Sequence, residues 1–328
     1  MRIRLLLLAL AASLPVLSAW VPNPALAQAY PSKPVKMIVP WPPGGATDVI
    51  ARHMAERLTS RLGQSFVIEN RPGATGQIGT KAVATSDPDG YTLVVMSTTV
   101  QSVGVHLVKS YPFDPIGDFT PVSQIVTFPY VLVVAANSPW QNVGELIAAA
   151  KKTPGKISYA SFGLGSAPYL ITELFSQGTQ AQFLHVPYKG AAPAIADLVG
   201  GQIGFFIDSM PSPLPQVRGG KLRALGVTTK TRTSQLPDVP PLADTVPGFE
   251  AIAWLGISGP AKMPADIANR LNEAIRAATA EPDYAAKIRQ AGAEPVASAT
   301  PADFHKLLVA QKDSWGKMIR DAKVPITD

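Results

Sequence analysis

Short β-branched and apolar runs alternate along the chain with segments whose apolar positions recur at helical spacing, which predicts strands alternating with helices. Val35-Lys36-Met37-Ile38-Val39 reads as a strand stopped by Pro40. After the loop Trp41-Pro42-Pro43-Gly44-Gly45, the segment Asp48 to Leu62 places Ile50, Met54, Leu58 and Leu62 on one helical face, and Gly63 suits its C-terminal cap. Phe66 to Glu69 predicts a second strand and Gly76 to Ser86 a helix. Asp87-Pro88-Asp89-Gly90 predicts a turn, followed by a buried strand over Tyr91 to Met96 that ends in Ser97-Thr98-Thr99.

The theme then restarts. Strands are predicted over Tyr130 to Ala135, Ile157 to Ala160, Phe183 to Val186, Ile203 to Ile207 and Ala224 to Val227. Helices are predicted over Val143 to Lys152, from Ser166 or Ala167 to Gln177 with Gly178 as its stop, over Ala192 to Val199 and over Pro213 to Arg218. A strand over Ile252 to Ile257 precedes an all-helical tail of Pro264 to Ala280, Tyr284 to Gly292 and Pro301 to Ala322. With no sheet of its own, the tail is expected to pack back onto the first domain. The expected architecture is therefore α/β, with two doubly wound domains. Residues 28–129 plus 252–328 form the discontinuous first domain and residues 130–251 the second. Chain crossings near residues 128–130 and 250–253 make a hinge with the ligand cleft between the domains.

Composition agrees with two domains, since 328 residues at 46% hydrophobic and 16% charged exceed one ordinary core. The absence of cysteine excludes disulfide scaffolds, thiolate metal sites, cysteine nucleophiles and a lipid anchor on Cys. Residues 1–27 read as a signal peptide: Arg2 and Arg4 form a basic start, Leu5 to Leu17 an apolar stretch, and Ala25-Leu26-Ala27 the cleavage site. Cleavage after Ala27 lowers the formal net charge from +6 to +4 and predicts an exported, periplasmic protein. The remaining Lys and Arg are spread among helices without interleaved aromatics, so no nucleic-acid partner is expected.

No phosphate-binding loop, nucleophile elbow or zinc-helix motif occurs, and Gly73-x-x-Gly76-x-x-Gly79 lacks dinucleotide-loop spacing. His53, His106, His185 and His305 are scattered without acidic partners, so no metal, cofactor or catalytic group is predicted. What recurs is a strand, a loop of small residues and a helix N-terminus: Gly44-Gly45-Ala46-Thr47-Asp48 in one half, Gly163-Leu164-Gly165-Ser166-Ala167 in the other. Such loops can hold an anionic oxygen on backbone N–H groups and the helix dipole. The other reading is plain loop geometry with Asp48 as an N-cap. Ser97, Thr98 and Thr99 offer further hydroxyl donors or a satisfied turn.

Five motifs, in order over the whole mature chain, resemble the tripartite tricarboxylate transporter receptors, also called the Bug family. They are Pro43-Gly44-Gly45-x-x-Asp48 with Ala51-Arg52, Glu69-Asn70-Arg71-Pro72-Gly73-Ala74, Pro88-Asp89-Gly90-Tyr91-Thr92-Leu93, Val186-Pro187-Tyr188-Lys189-Gly190 and Gly220-Lys221-Leu222-Arg223-Ala224-Leu225. The resemblance implies a periplasmic solute-binding protein of type II, Venus-flytrap architecture. Its ligand would be a small carboxylate, delivered to the membrane subunits of a tripartite transporter or sometimes read by a sensor kinase. The chain would act as a non-enzymatic monomer without a cofactor.

Carried over by position, the resemblance puts Trp41, Gly44, Gly45, Ala46, Thr47 and Asp48 on the first ligand loop and Ser97, Thr98 and Thr99 on the second. Ser161, Phe162, Gly165, Ser166 and Ala167 fall on the facing domain, with Tyr188 and Asp208 after its strands. The chain departs from the family pattern at Thr75, before Gly76. It also has Phe162, Leu164, Pro168 and Tyr169 where the family often has polar residues, which tilts the ligand toward an aromatic or bulkier carboxylate. Asp208 either meets an ammonium group, favouring an amino-acid-like ligand, or caps the turn at Ser209-Met210-Pro211. A reading from another class is a secreted serine hydrolase of small esters or amides using Ser97, Ser161 or Ser166. It requires one of the four histidines within hydrogen-bond reach of that serine.

Overall fold

The computed structural model describes residues 30–326; the leader over residues 1–27 and its cleavage point lie outside them. The chain begins β1 (Val35–Val39), α1 (Ala46–Leu62), β2 (Phe66–Asn70), α2 (Gln77–Ala84) and β3 (Thr92–Ser97). A π turn over Thr99–Val103 leads into α3 (Gly104–Leu107) and then into the long strand β4 (Phe119–Ala135). There follow α4 (Val143–Lys152), β5 (Ser158–Ser161), α5 (Ala167–Thr179), β6 (Leu184–Pro187), α6 (Ala191–Val199), β7 (Phe205–Ser209), α7 (Leu214–Arg218) and β8 (Leu222–Val227). The chain closes with β9 (Ile252–Pro260), α8 (Ala265–Thr279), α9 (Pro282–Gln290), β10 (Glu294–Pro295) and α10 (Pro301–Asp321).

The strands pair in the order β2-β1-β3-β9-β4-β7-β5-β6, with β8 and β10 also on β4. β1 is parallel to β2 and β3, and β5 is parallel to β6 and β7. β4 runs antiparallel to β9, β7 and β8 and belongs to both halves of the sheet. Its residues Phe119 to Pro129 pair with β9, and Tyr130 to Ala135 pair with β7 and β8. The fold is thus mixed α/β, with parallel winding in each half as the alternating pattern predicts.

The apolar runs are buried as strands covered on both faces must be: Leu93, Val94, Val95 and Met96 of β3 are inaccessible. In α1 the buried face is Ile50, Ala51, Met54, Ala55 and Leu58, and Gly63 closes the helix at φ 73° with its N–H on the Thr59 carbonyl. One core cluster includes Ile38, Met96, Phe119, Trp254 and Phe304; another includes Val131, Val133, Leu198, Phe206 and Leu222. The helical tail joins the first cluster through α10, and β10 pairs with β4.

Three features depart from the sequence pattern. α5 runs through Gly178 to Thr179 and ends on Gln180 in the left-handed region at φ 53°. Gly178 is instead required by packing, since a Cβ there would lie 2.6 Å from Val246 Cγ1. The first part of β4 escapes the pattern because Pro121, Ser123 and Gln124 break its alternation, and the ladder absorbs them with register shifts. The π turn and α3 carry a β-branched sequence with fully buried Gln101 and Ser102, which no helical stripe announces.

Buried Thr228 ties the two chain crossings together. Its hydroxyl accepts from Tyr130 N–H (2.8 Å) and donates to the Ala251 carbonyl (2.6 Å). Its backbone N–H donates to the Tyr130 carbonyl, and its carbonyl accepts from Ala251 N–H. Thr228→Val keeps the volume and leaves two buried backbone groups unpaired, at about 1–3 kcal/mol each. We expect a lower urea midpoint with an unchanged slope; an unchanged midpoint would remove Thr228 from this role.

Candidate ligand-binding site

A cavity of about 670 Å3, counted to its open mouth, lies between the two halves of the sheet. One wall is the β1–α1 connection (Trp41, Pro42, Pro43, Gly45) with Ala46 and Thr47 of α1, together with Ser97 at the end of β3 and Thr98 and Thr99 behind it. Phe128 and Tyr130 of β4 and Ala253, Trp254 and Leu255 of β9 line it where the chain crosses. Facing them are Phe162, Pro168, Gly190 to Pro193, Asp208, Ser209 and Ser212. The site sits at the carboxyl ends of β1, β3 and β7, the usual ligand position in open α/β sheets.

The first loop is held by Asp48. Its Oδ2 accepts from Gly44 N–H (3.0 Å) and Arg52 Nε (3.0 Å), and its Oδ1 accepts from Arg52 (2.8 Å) and Asn70 (2.9 Å). Asn70 also donates to the Trp41 carbonyl. Burial works against this carboxylate, but the donors from Arg52, Gly44 and Asn70 hold it below the usual carboxylate range. Asp48 and Gly44 therefore shape the loop from behind and do not line the cavity. Gly45 stands as the N-cap of α1 with no side-chain bond to the helix end, so the first turn is open toward the cavity.

On the opposite wall the structure corrects the expected helix. Ser166 caps α5 with its own hydroxyl on Tyr169 N–H, and Ala167 N–H donates across the cavity mouth to Thr99 Oγ1 (3.2 Å). Ser166 and Ala167 are thus engaged by protein partners, and with Gly165 they lie outside the cavity wall. The helix that reaches the wall is α6, whose N-cap Gly190 makes no side-chain bond. Gly190 has φ 130°, and a Cβ there would come within 3.1 Å of the Pro42 ring, so only glycine lets the α6 terminus approach the first loop this closely. Spacing alone could have singled out Gly190-Ala191-Ala192, another small-residue loop before a helix.

Of the remaining expected residues, Trp41, Gly45, Ala46, Thr47, Ser97, Thr98, Thr99, Phe162 and Asp208 line the cavity, whereas Ser161 and Tyr188 do not. Tyr188 donates to Asp197 (2.8 Å) and borders an adjoining groove with Lys189 and Thr75. Phe162 packs 5.8 Å from Trp41 and 5.7 Å from Phe206, ring centre to ring centre, and so separates cavity from groove.

Ser161 Oγ lies 2.5 Å from His185 Nε2, the one contact the hydrolase reading requires. Ser161 is wholly buried, also accepts from Gly163 N–H and stands outside the cavity. The His185 ring is flanked by Tyr159 and Tyr169, and burial lowers its pKa. The pair braces the loop after β5. Among the described residues no group of three or more His, Asp or Glu could hold a metal ion, and no helix is long and apolar enough to cross a membrane.

Several polar atoms of the wall have no protein partner: Trp41 Nε1, Trp254 Nε1 and Ser97 Oγ. Thr98 and Thr99 accept from Trp254 N–H (2.9 Å) and Ala167 N–H, which leaves their hydroxyl hydrogens for a ligand. Among the described residues no Lys or Arg lines the cavity.

The family model described as the tripartite tricarboxylate transporter family receptor matches residues 50–324. Protein BugT of Bordetella pertussis is 38% identical over 312 residues, covering 93% of this chain and 94% of BugT. The Rhodopseudomonas palustris protein Rpa4515, solved with adipate, superposes with a TM-score of 0.87 at 35% identity over 90% of this chain and 98% of that one. MatC of the same organism, solved with bound malate, gives 0.84 at 28% identity over 88% of this chain and the whole of that one.

Burial pushes the Asp208 carboxyl up to about 7, against the Ser209 N–H and the Ser212 and Ser209 hydroxyls that favour its charged form. Tyr130 faces it and is itself raised, by burial and by the Asp208 charge. A folded-state value above the ordinary 3.8 means that the native state holds a proton the unfolded chain has released. Ligand-free stability should therefore fall as pH rises from about 4 to about 7, by up to about 1.4 kcal/mol per pH unit. Asp208→Asn should flatten this dependence in thermal melts of the ligand-free protein; parallel curves for the two proteins would contradict it.

Proposed function

The chain belongs to the tripartite tricarboxylate transporter receptor family, and on that premise we propose that it captures a small carboxylate in the periplasm for the membrane subunits of a tripartite transporter. The observation that carries this reading is a pair of helix N-termini, of α1 and α6, both without capping side chains at one cavity. Each end presents unpaired N–H groups and about half a positive charge, which suits a carboxylate where no Lys or Arg is present. The Trp41 and Trp254 indole N–H groups and the Ser97, Thr98 and Thr99 hydroxyls supply further donors. The adipate and malate bound by the two R. palustris relatives support the same ligand chemistry.

The rings of Trp41, Phe128, Tyr130 and Phe162 fit an apolar or aromatic body behind the carboxylate. Binding is a closure of two lobes, residues 28–129 with 252–328 and residues 130–251, about the crossings tied by Thr228. Only a ligand that gains contacts from both walls favours the closed form. The Thr99 to Ala167 hydrogen bond and the Trp41 to Phe162 ring contact link the two walls across the mouth. The exported monomer performs no chemistry on its cargo.

Calorimetric titration with mono-, di- and aromatic carboxylates should find a Kd of about micromolar for at least one. Trp41→Phe and Trp254→Phe each remove one donor and should weaken it roughly fivefold, the equivalent of about 1 kcal/mol. Failure of every carboxylate to bind, or turnover of a bound ester or amide, would sink the reading.

A further inference from the structure

We propose that Phe162 sets the length of the ligand: its ring is the removable part of a partition between the binding cavity and a second compartment that longer acids would otherwise enter. This rests on the carboxylate reading and adds an upper bound on the body behind the carboxylate. The second compartment is the groove adjoining the cavity, about 890 Å3 counted to its open mouth. Among the described residues four line both spaces: Trp41, Pro42, Phe162 and Gly190. They meet in two pairs, each drawn from opposite walls of the cavity. The Trp41 and Phe162 rings lie 5.8 Å apart, and a Cβ on Gly190 would lie 3.1 Å from the Pro42 ring.

Both rings of the first pair are fixed from behind. Phe162 stands edge-on to Phe206, a fully buried residue of β7, at 5.7 Å and 78°. The preceding residue, Ser161, is buried and bonded to His185 and to Gly163 N–H, so the loop holds the ring in place. Trp41 lies against Gly76, where a Cβ would come within 3.4 Å of Trp41 Cζ2 and 2.7 Å of Val100 Cγ2. The partition is therefore made of well-supported groups that meet only when the two walls are together. A ligand whose body outruns the cavity keeps Trp41 and Phe162 apart and forfeits the contacts across the mouth, so excess length is penalised through closure. Of the four residues, Pro42 and Gly190 shape the backbone and Trp41 supplies an N–H donor; Phe162 contributes its ring alone. Beyond it the groove offers what a longer acid needs, the apolar side chains of Pro72 and Ala74 and the ammonium of Lys189.

The test is calorimetric titration of two series, dicarboxylates from succinate to sebacate and monocarboxylates from butyrate to decanoate, with the wild type, Phe162→Ala and Phe162→Leu. The longest members should bind the wild type at least about tenfold more weakly than the best shorter member. Phe162→Ala should bind those longest members about tenfold or more tightly than the wild type does, as expected for burying a few more methylenes. Phe162→Leu, which keeps an apolar side chain against Phe206, should give a smaller gain of the same sign. Adding Lys189→Ala to Phe162→Ala should cost the long dicarboxylates about threefold and leave the monocarboxylates unchanged, as for an exposed ion pair. Lost packing alone would weaken every length alike, so a gain confined to long acids is the diagnostic result, with melting curves confirming folded variants. The wild-type series stands without them. Long acids binding the wild type as tightly as short ones, or an unchanged length profile in both variants, would overturn the role of Phe162 and leave the carboxylate reading intact. No binding of any member to any of these proteins would overturn both.

Discussion

Strand β4 belongs to both halves of the sheet, and the position of everything in the site follows from where it passes from one to the other. Up to Pro129 its backbone is committed to β9, and from Tyr130 onward to β7 and β8. Proline at the changeover has no N–H to donate, so none is left unpaired where the strand changes partners. Thr228 then binds this crossing to the returning one at Ala251. The side chains of Phe128, Tyr130 and Trp254 project from these crossings into the cavity. The floor of the proposed ligand site and the proposed axis of closure are therefore the same few residues.

The electrostatics follow from the same economy. The site is suited to an anion without containing a cation, because its favourable potential comes from backbone dipoles at two helix ends. A fixed dipole loses no side-chain entropy on binding and needs no counter-charge when the cavity is empty. The two aspartates show how differently one residue type can be used within this frame. Asp48 is surrounded by donors that hold its carboxyl below the usual range and fix the loop; Asp208 is buried and pushed toward neutrality.

Much of the fold was legible in the chain itself. The stripe Ile50, Met54, Leu58 with Gly63 behind it marks α1 because a helix cap and an amphipathic face are local properties. The apolar run ending at Ser97 marks β3 for the same reason. The first part of β4 was not legible, because its prolines and polar residues are tolerated only through the bulged ladder with β9, more than a hundred residues away in sequence. Gly178 misleads similarly: its small size serves Val246 and not the end of a helix.

What the sequence showed by itself is a recurring local pattern of strand, small-residue loop and helix N-terminus in two halves, with hydroxyls at the end of β3. Which helix terminus serves the cavity was decided only by tertiary structure. The α5 end has the more suggestive loop, yet it is closed by Ser166 and by Thr99, a residue from the opposite wall. The α6 end is open because Gly190 lets it slide against Pro42. Local pattern records which donors a chain can offer. Whether those donors are still free after folding depends on groups that sequence distance keeps out of view, and for a cavity proposed to bind through unpaired donors, that is the property that defines the site.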